Sequence, residues 1–149
     1  MAAKMTDAEK LAMLRLSALM LLWGPLNTLK KEVAEEAVSF TGRQIGKLYA
    51  TYPGETPVEK LLNRYAALAQ IYGHEYESTV GKDKSIHHVK KCTTKLEDMP
   101  KIVKIFGEPV LGSMCEFCKI MFPMTASVND CNLDIDPTEN GCKFTITSK

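Results

Sequence analysis

Apolar positions recur at helical spacing through the first half of the chain and switch to alternation near residue 74. The helix starts are marked by capping boxes, in which a Ser or Thr side chain and a Glu three residues later satisfy each other's free amides. Four segments fit the pattern: Thr6–Glu9, Thr56–Glu59 with Pro57 at the first helical position, Thr94–Glu97, and Ser113–Glu116. The first predicts a helix to about Trp23, after which the pattern restarts at Pro25 as a kinked continuation or a second helix. "GRQIGKLYATY" predicts another short helix ending at the "PGETP" turn. "PVEKLLNRYAALAQIYG" puts Leu61, Leu62, Tyr65, Ala66 and Leu68 on one stripe, with Gly73 as its C-terminal cap.

After Gly73, "HEYESTV" and "SIHHVKKC" alternate around "GKDK" and predict a β-hairpin. "TTKLEDMPKIVKIFG" returns to helix, and "SMCEFCKIMF" is a short helix ended by Pro123. "NLDID" and "CKFTITSK" predict two more strands around the "PTENG" turn. The order predicts an α+β fold in one domain spanning 1–149, a helical half (about 6–73) packed on a small antiparallel sheet in a Cys-rich mixed half (about 74–149). There is no internal repeat.

Composition narrows the function classes. Nineteen basic and eighteen acidic residues leave a formal charge of +1, which offers no basic footprint for nucleic acid and no polybasic membrane patch. The most apolar stretch, "LAMLRLSALMLLWG", is shorter than the roughly 20 residues a bilayer span needs and contains Arg15. Asp7 and Glu9 precede it, so it does not read as a signal peptide, and a cytoplasmic location is expected. There, thiols stay reduced, and five cysteines point to metal or chemistry rather than disulfides.

Four of the five lie between Ser113 and Phe144. Cys115 and Cys118 form a C-x-x-C in the opening turns of a helix, where the dipole favours thiolates. Cys131 and Cys142 follow after 12 and 10 residues. These four sulfurs form a candidate tetrahedral zinc site, and the same set suits an iron–sulfur cluster; Asp130 or Asp134 is a substitute oxygen ligand. Thiol redox chemistry at Cys115/Cys118 and simple core packing stay open as alternatives.

Cys92 ends a strand on which Ile86, His88, Lys90 and Cys92 alternate onto one face, making it a candidate nucleophile with His88 as base. Four residues of strand separate the two by roughly 13 Å, so a direct hydrogen bond requires a further partner. His74, just after the Gly73 cap, reads as a surface residue. Trp23, Met20 and Met13 read as core, or as wall material if the fold encloses a pocket.

The strand ending in Cys92, the helix leading to Gly107, Cys115 with Cys118, and the final Gly141-Cys142-x-Phe144 resemble the L-2-amino-thiazoline-4-carboxylate hydrolase-like proteins and the vinyl-reductase-like small-molecule-binding domains. The likeness covers roughly the last 85 residues, from Arg64 onward. The resemblance implies an apolar ligand pocket beside a cysteine-rich zinc site, often in a homodimer, with Cys142 as the final metal-binding Cys. Cys131 falls where an acidic ligand is common, and Asp134 stands where a further Cys is expected. Three functions follow as expectations: a small-molecule-binding domain with a Cys-held metal; a hydrolase of a small cyclic or thio-compound using Cys92 with a histidine or a metal-bound water; and an iron–sulfur or thiol redox protein.

Overall fold

A computed structural model describes residues 5–149. Helix α1 (Asp7–Leu26) opens on a complete capping box: the Glu9 amide donates to the Thr6 hydroxyl, and the Thr6 amide donates to the Glu9 carboxylate at 2.6 Å. It runs through Pro25 without restarting and buries Leu19, Trp23 and Leu26. Met13, expected inside, is exposed.

Helix α2 (Lys31–Tyr49) is continuous where the sequence pattern predicted a break at "GRQ". Gly42 and Gly46 are one turn apart, and a Cβ on Gly46 would press within 2.9 Å of the Thr125 backbone. The glycines therefore serve close helix approach rather than termination. Helix α3 (Pro57–Ile71) is capped by Thr56, while the Glu59 carboxylate accepts from the Glu55 amide. It ends at Gly73, left-handed at φ 66°, and the His74 amide donates back to Ala69.

Strands β1 (Glu75–Thr79) and β2 (Lys84–Lys91) form the expected hairpin, and β3 (Cys131–Pro137) and β4 (Cys142–Ser148) form a second. The antiparallel order β1-β2-β4-β3 joins the hairpins through their central strands. The α+β expectation holds, with the sheet in the C-terminal half and most of the helix before it.

The Thr94–Glu97 box does not form. Leu96 donates to the Cys92 carbonyl, so Thr94 already lies inside a π-helical turn (Thr94–Asp98) that leads into α4 (Met99–Phe106). Asp98 in that turn receives Nε of Arg15 at 2.6 Å and Nη2 at 3.1 Å, while Nη1 donates to the Tyr72 carbonyl. The nearly buried bidentate pair fixes α1 against the π-helical turn, and the bond to Tyr72 ties it to the end of α3. Helix α5 (Met114–Ser127) starts where the Ser113 hydroxyl accepts the Glu116 amide, and it continues past Pro123 to Ser127.

Two apolar clusters result. One joins the sheet to α3 and α5 through Leu61, Tyr65, Val89, Ala126, Leu133, Phe144 and Ile146. The other joins the helices through Leu19, Trp23, Val38, Ile102 and Phe117. No helix among the described residues is long and apolar enough to cross a membrane.

Candidate functional site: a thiol cluster at one end of an apolar cavity

A cavity of about 400 Å³ lies between the two apolar clusters. All of α1, α2, α3, α5, β2 and β4 contribute to its wall, which is dominated by residues such as Leu26, Val38, Ile45, Leu68, Met121 and Phe122. Trp23 is fully buried behind the wall, against Phe117, rather than in it. Cys92, Cys118, Cys142 and Met114 close one end of this cavity. The same four residues also line a second, small cavity together with Cys115, Lys95, Ile135 and Gly141. Four thiols therefore meet: Cys92, Cys115, Cys118 and Cys142.

The membership differs from the expected set. Cys131 pairs with Ser148 and Cys142 with Pro137, at opposite ends of the β3–β4 hairpin. Six residues of strand separate those positions, roughly 20 Å, so Cys131 cannot join. It is 1% exposed in the sheet-side core. Cys92 takes its place, because β1–β2 carries a bulge. Tyr76 pairs with Val89 but Glu75 with Lys91, leaving Lys90 as the extra residue. The bulge reverses the alternation, so Cys92 returns to the interior side shared by His87 and Val89, all three lining the cavity.

Backbone contacts set this end of the molecule. The Cys92 amide donates to the Asn140 carbonyl at 2.7 Å, and Lys95 Nζ donates to the carbonyls of Thr138 and Glu139. These bonds hold the turn before Cys142 against the π-helical turn after Cys92. Gly141 lies so close to β2 that a Cβ would fall on the Val89 carbonyl oxygen.

His88 is not the partner of Cys92. It sits on the outer side of the sheet, 3.4 Å from Glu77. The neighbour is His74, whose Nε2 is 3.9 Å from the Cys92 sulfur. The Thr93 amide donates to His74 Nδ1 at 3.1 Å, which places the proton of the neutral ring on Nε2, facing the thiol. His74 can therefore donate to that sulfur but not take its proton. Burial also lowers the His74 pKa to about 4 and raises that of the Cys92 thiol, which the Lys95 amide at 3.5 Å only partly offsets. The expected gain of thiolate character at the α5 N-terminus is overturned at Cys118: burial, then the other thiols, push it well up. The same causes push Cys142 up to about 12. These thiols are protonated at neutral pH and poorly nucleophilic.

As they stand, no three His, Cys, Asp or Glu side chains among the described residues form a group ready to hold a metal ion. The donor chemistry nonetheless suits a thiophilic cation, with four sulfurs from three backbone segments around one small cavity.

Away from the thiols, Arg64 of α3 enters the wall with its guanidinium over the rings of Tyr49 and Tyr52, 5.1 and 5.3 Å from their centroids. Nothing in its sequence context signalled a role. The position of His74 directly after a helix-ending glycine was the one available hint that the chain turns inward there.

No family model, curated protein or solved structure matches the chain.

Proposed function

We propose that this is a cytoplasmic small-molecule-binding domain whose ligand cavity ends at a zinc site formed by Cys92, Cys115, Cys118 and Cys142. The observation that carries the reading is the shared wall: Cys92, Cys118 and Cys142 line both the large apolar cavity and the small thiol-lined one. Pockets of this size with a mainly apolar lining and few polar groups are the usual form of small-molecule sites. Zinc bound there would tie the ends of β2 and β4 to the start of α5, a structural rather than reactive role. The sulfurs would have to draw together around it, and the His74 Nε2–H and the Lys95 amide are placed to support Cys92 as a thiolate. A Cys92 hydrolase is the weaker reading, since the thiol and its histidine are shifted in the wrong directions for a nucleophile–base pair.

Metal analysis of protein purified without oxygen tests the site. About one zinc per chain, released when Cys92 and Cys142 are replaced by Ser, is the expected result. Iron with sulfide and visible absorbance would instead establish a cluster protein. Absence of metal, with no uptake on titration with zinc, would sink the metal half of the proposal and leave the cavity standing.

A further inference from the structure

Among the described residues, Arg64 is the only permanently charged one in the lining of the large cavity, and no described Asp or Glu accompanies it there. The ion pairs among the described residues engage Arg15, several lysines and His88, never Arg64. Its Nε atom is buried without a hydrogen-bond partner. The contrast within this one protein is informative. Arg15, the arginine that fastens α1 to the π-helical turn and the end of α3, is given a bidentate carboxylate and a carbonyl. Arg64 is given two aromatic faces, which hold the guanidinium in place without consuming its buried Nε–H. A buried donor left without an acceptor keeps its desolvation cost uncompensated, the more so when the group is charged. Such a cost is offset if the acceptor arrives with the ligand.

We infer that the cavity takes an apolar monocarboxylic acid, its carboxylate on Arg64 and its apolar body running toward the thiol end. This inference rests on the small-molecule reading of the cavity. The direction follows from α3: Arg64, Tyr65, Leu68, Ala69 and Tyr72 all line the cavity, a run of about 12 Å at the helical rise. The single charge follows from Arg64 standing alone. A carboxylate matches the guanidinium fork and neutralises it. A dianionic phosphate would leave one charge uncompensated among apolar side chains, which disfavours it. Specificity for the acid comes from Arg64, and most of the contact area comes from the aliphatic and aromatic wall.

Equilibrium dialysis of the intact chain at neutral pH with decanoate, decanol and decyl phosphate tests this. Decanoate is expected to bind at least about tenfold more tightly than decanol, the margin of a charge-assisted hydrogen bond. An apolar cavity has no other reason to prefer the charged, better-hydrated probe. Arg64→Met is expected to bring the two within a small factor of each other, with decanol affinity retained, and Arg64→Lys to keep part of the preference. Equal binding of decanoate and decanol by the unaltered protein would overturn the inference and leave the cavity reading intact; this arm holds even if a variant fails to fold. A preference that survives Arg64→Met, or tighter binding of decyl phosphate, would overturn it as well. If none of the three probes binds, the cavity reading falls with it.

Discussion

The two ends of the cavity are built from different materials and stand in opposite electrostatic states. At the thiol end Cys92, Cys118 and Cys142 are held protonated by burial, and the positioning is mostly the backbone's: a bulge at Lys90, a turn pinned by Lys95, a glycine against β2, and a Ser113 cap. At the Arg64 end the charge is permanent, and side chains hold it through two tyrosine rings set on helices and the turn that follows. The buried sulfurs of the first end acquire charge only when something displaces their protons, so they suit a cation. The second carries charge before anything arrives, so it suits an anion. Backbone placement also makes the thiol end intolerant of added atoms, whereas the Arg64 end should tolerate exchange of its side chain.

That difference in tolerance gives the largest expected effect. Gly141→Val would drive its side chain into the Val89 carbonyl oxygen, and the backbone of β2 cannot yield as a flexible side chain does. A loss of about 3 kcal/mol or more is expected, at the upper end of overpacking costs. Chemical denaturation measures it; a change below about 0.5 kcal/mol, within the ordinary surface range, would show that β2 and β4 are not locked together here.

Also in the cavity wall is His87, 1% exposed, with Nδ1 2.9 Å from the Ser78 hydroxyl and its ring beside Tyr76 and Phe144. Burial, followed by the charges of His74 and His88, lowers its pKa to about 4 from an ordinary value of 6.5. The unfolded chain thus binds a proton between about pH 6.5 and 4 that the folded chain refuses. The associated stability is fully present above pH 6.5 and is lost as pH falls through this window, at up to about 1.4 kcal/mol per pH unit. His87→Gln should flatten that part of the profile, with His74 supplying a similar remaining slope. Identical slopes in the two proteins would mean that His87 is protonated, or hydrated, inside the fold.

What could be read from the chain alone was local. The Thr6, Thr56 and Ser113 caps, both hairpins and the Gly73 stop depend on residues within a few positions of each other, and all are present. The Thr94 box failed because Cys92 had already opened the helical turn. Gly42 looked like punctuation because the helix it admits, α5, lies some eighty residues away in sequence. The composition of the thiol cluster was illegible for the same kind of reason. Cys131 and Cys142 look like neighbours by count, but a straight hairpin holds them at opposite ends. Cys92 looked like a same-face companion of His88 until one bulged residue reversed its side. Arg64 was harder still, since its proposed role lies in a carboxylate that no described residue of the wall supplies.

The smallest stability effect sharpens the distinction between a thiol that belongs to the cluster and one that does not. Cys131→Ser places a hydroxyl in the sheet-side core at a position 1% exposed, and should cost about 1–2 kcal/mol while leaving zinc uptake unchanged. Cys115→Ser, at a half-buried site beside the small cavity, should change stability by no more than about 0.5 kcal/mol without zinc. Its zinc affinity should nonetheless fall at least about tenfold, because a serine hydroxyl is not deprotonated as a thiol is on binding. Denaturation and competitive zinc titration on the same two variants read out both effects. The reverse pattern, with zinc binding lost in Cys131→Ser and kept in Cys115→Ser, would mean that the β3–β4 register separating Cys131 from Cys142 is wrong. No side-chain rotation can close a gap of six strand residues, so only a different pairing of those strands could bring that sulfur to the others.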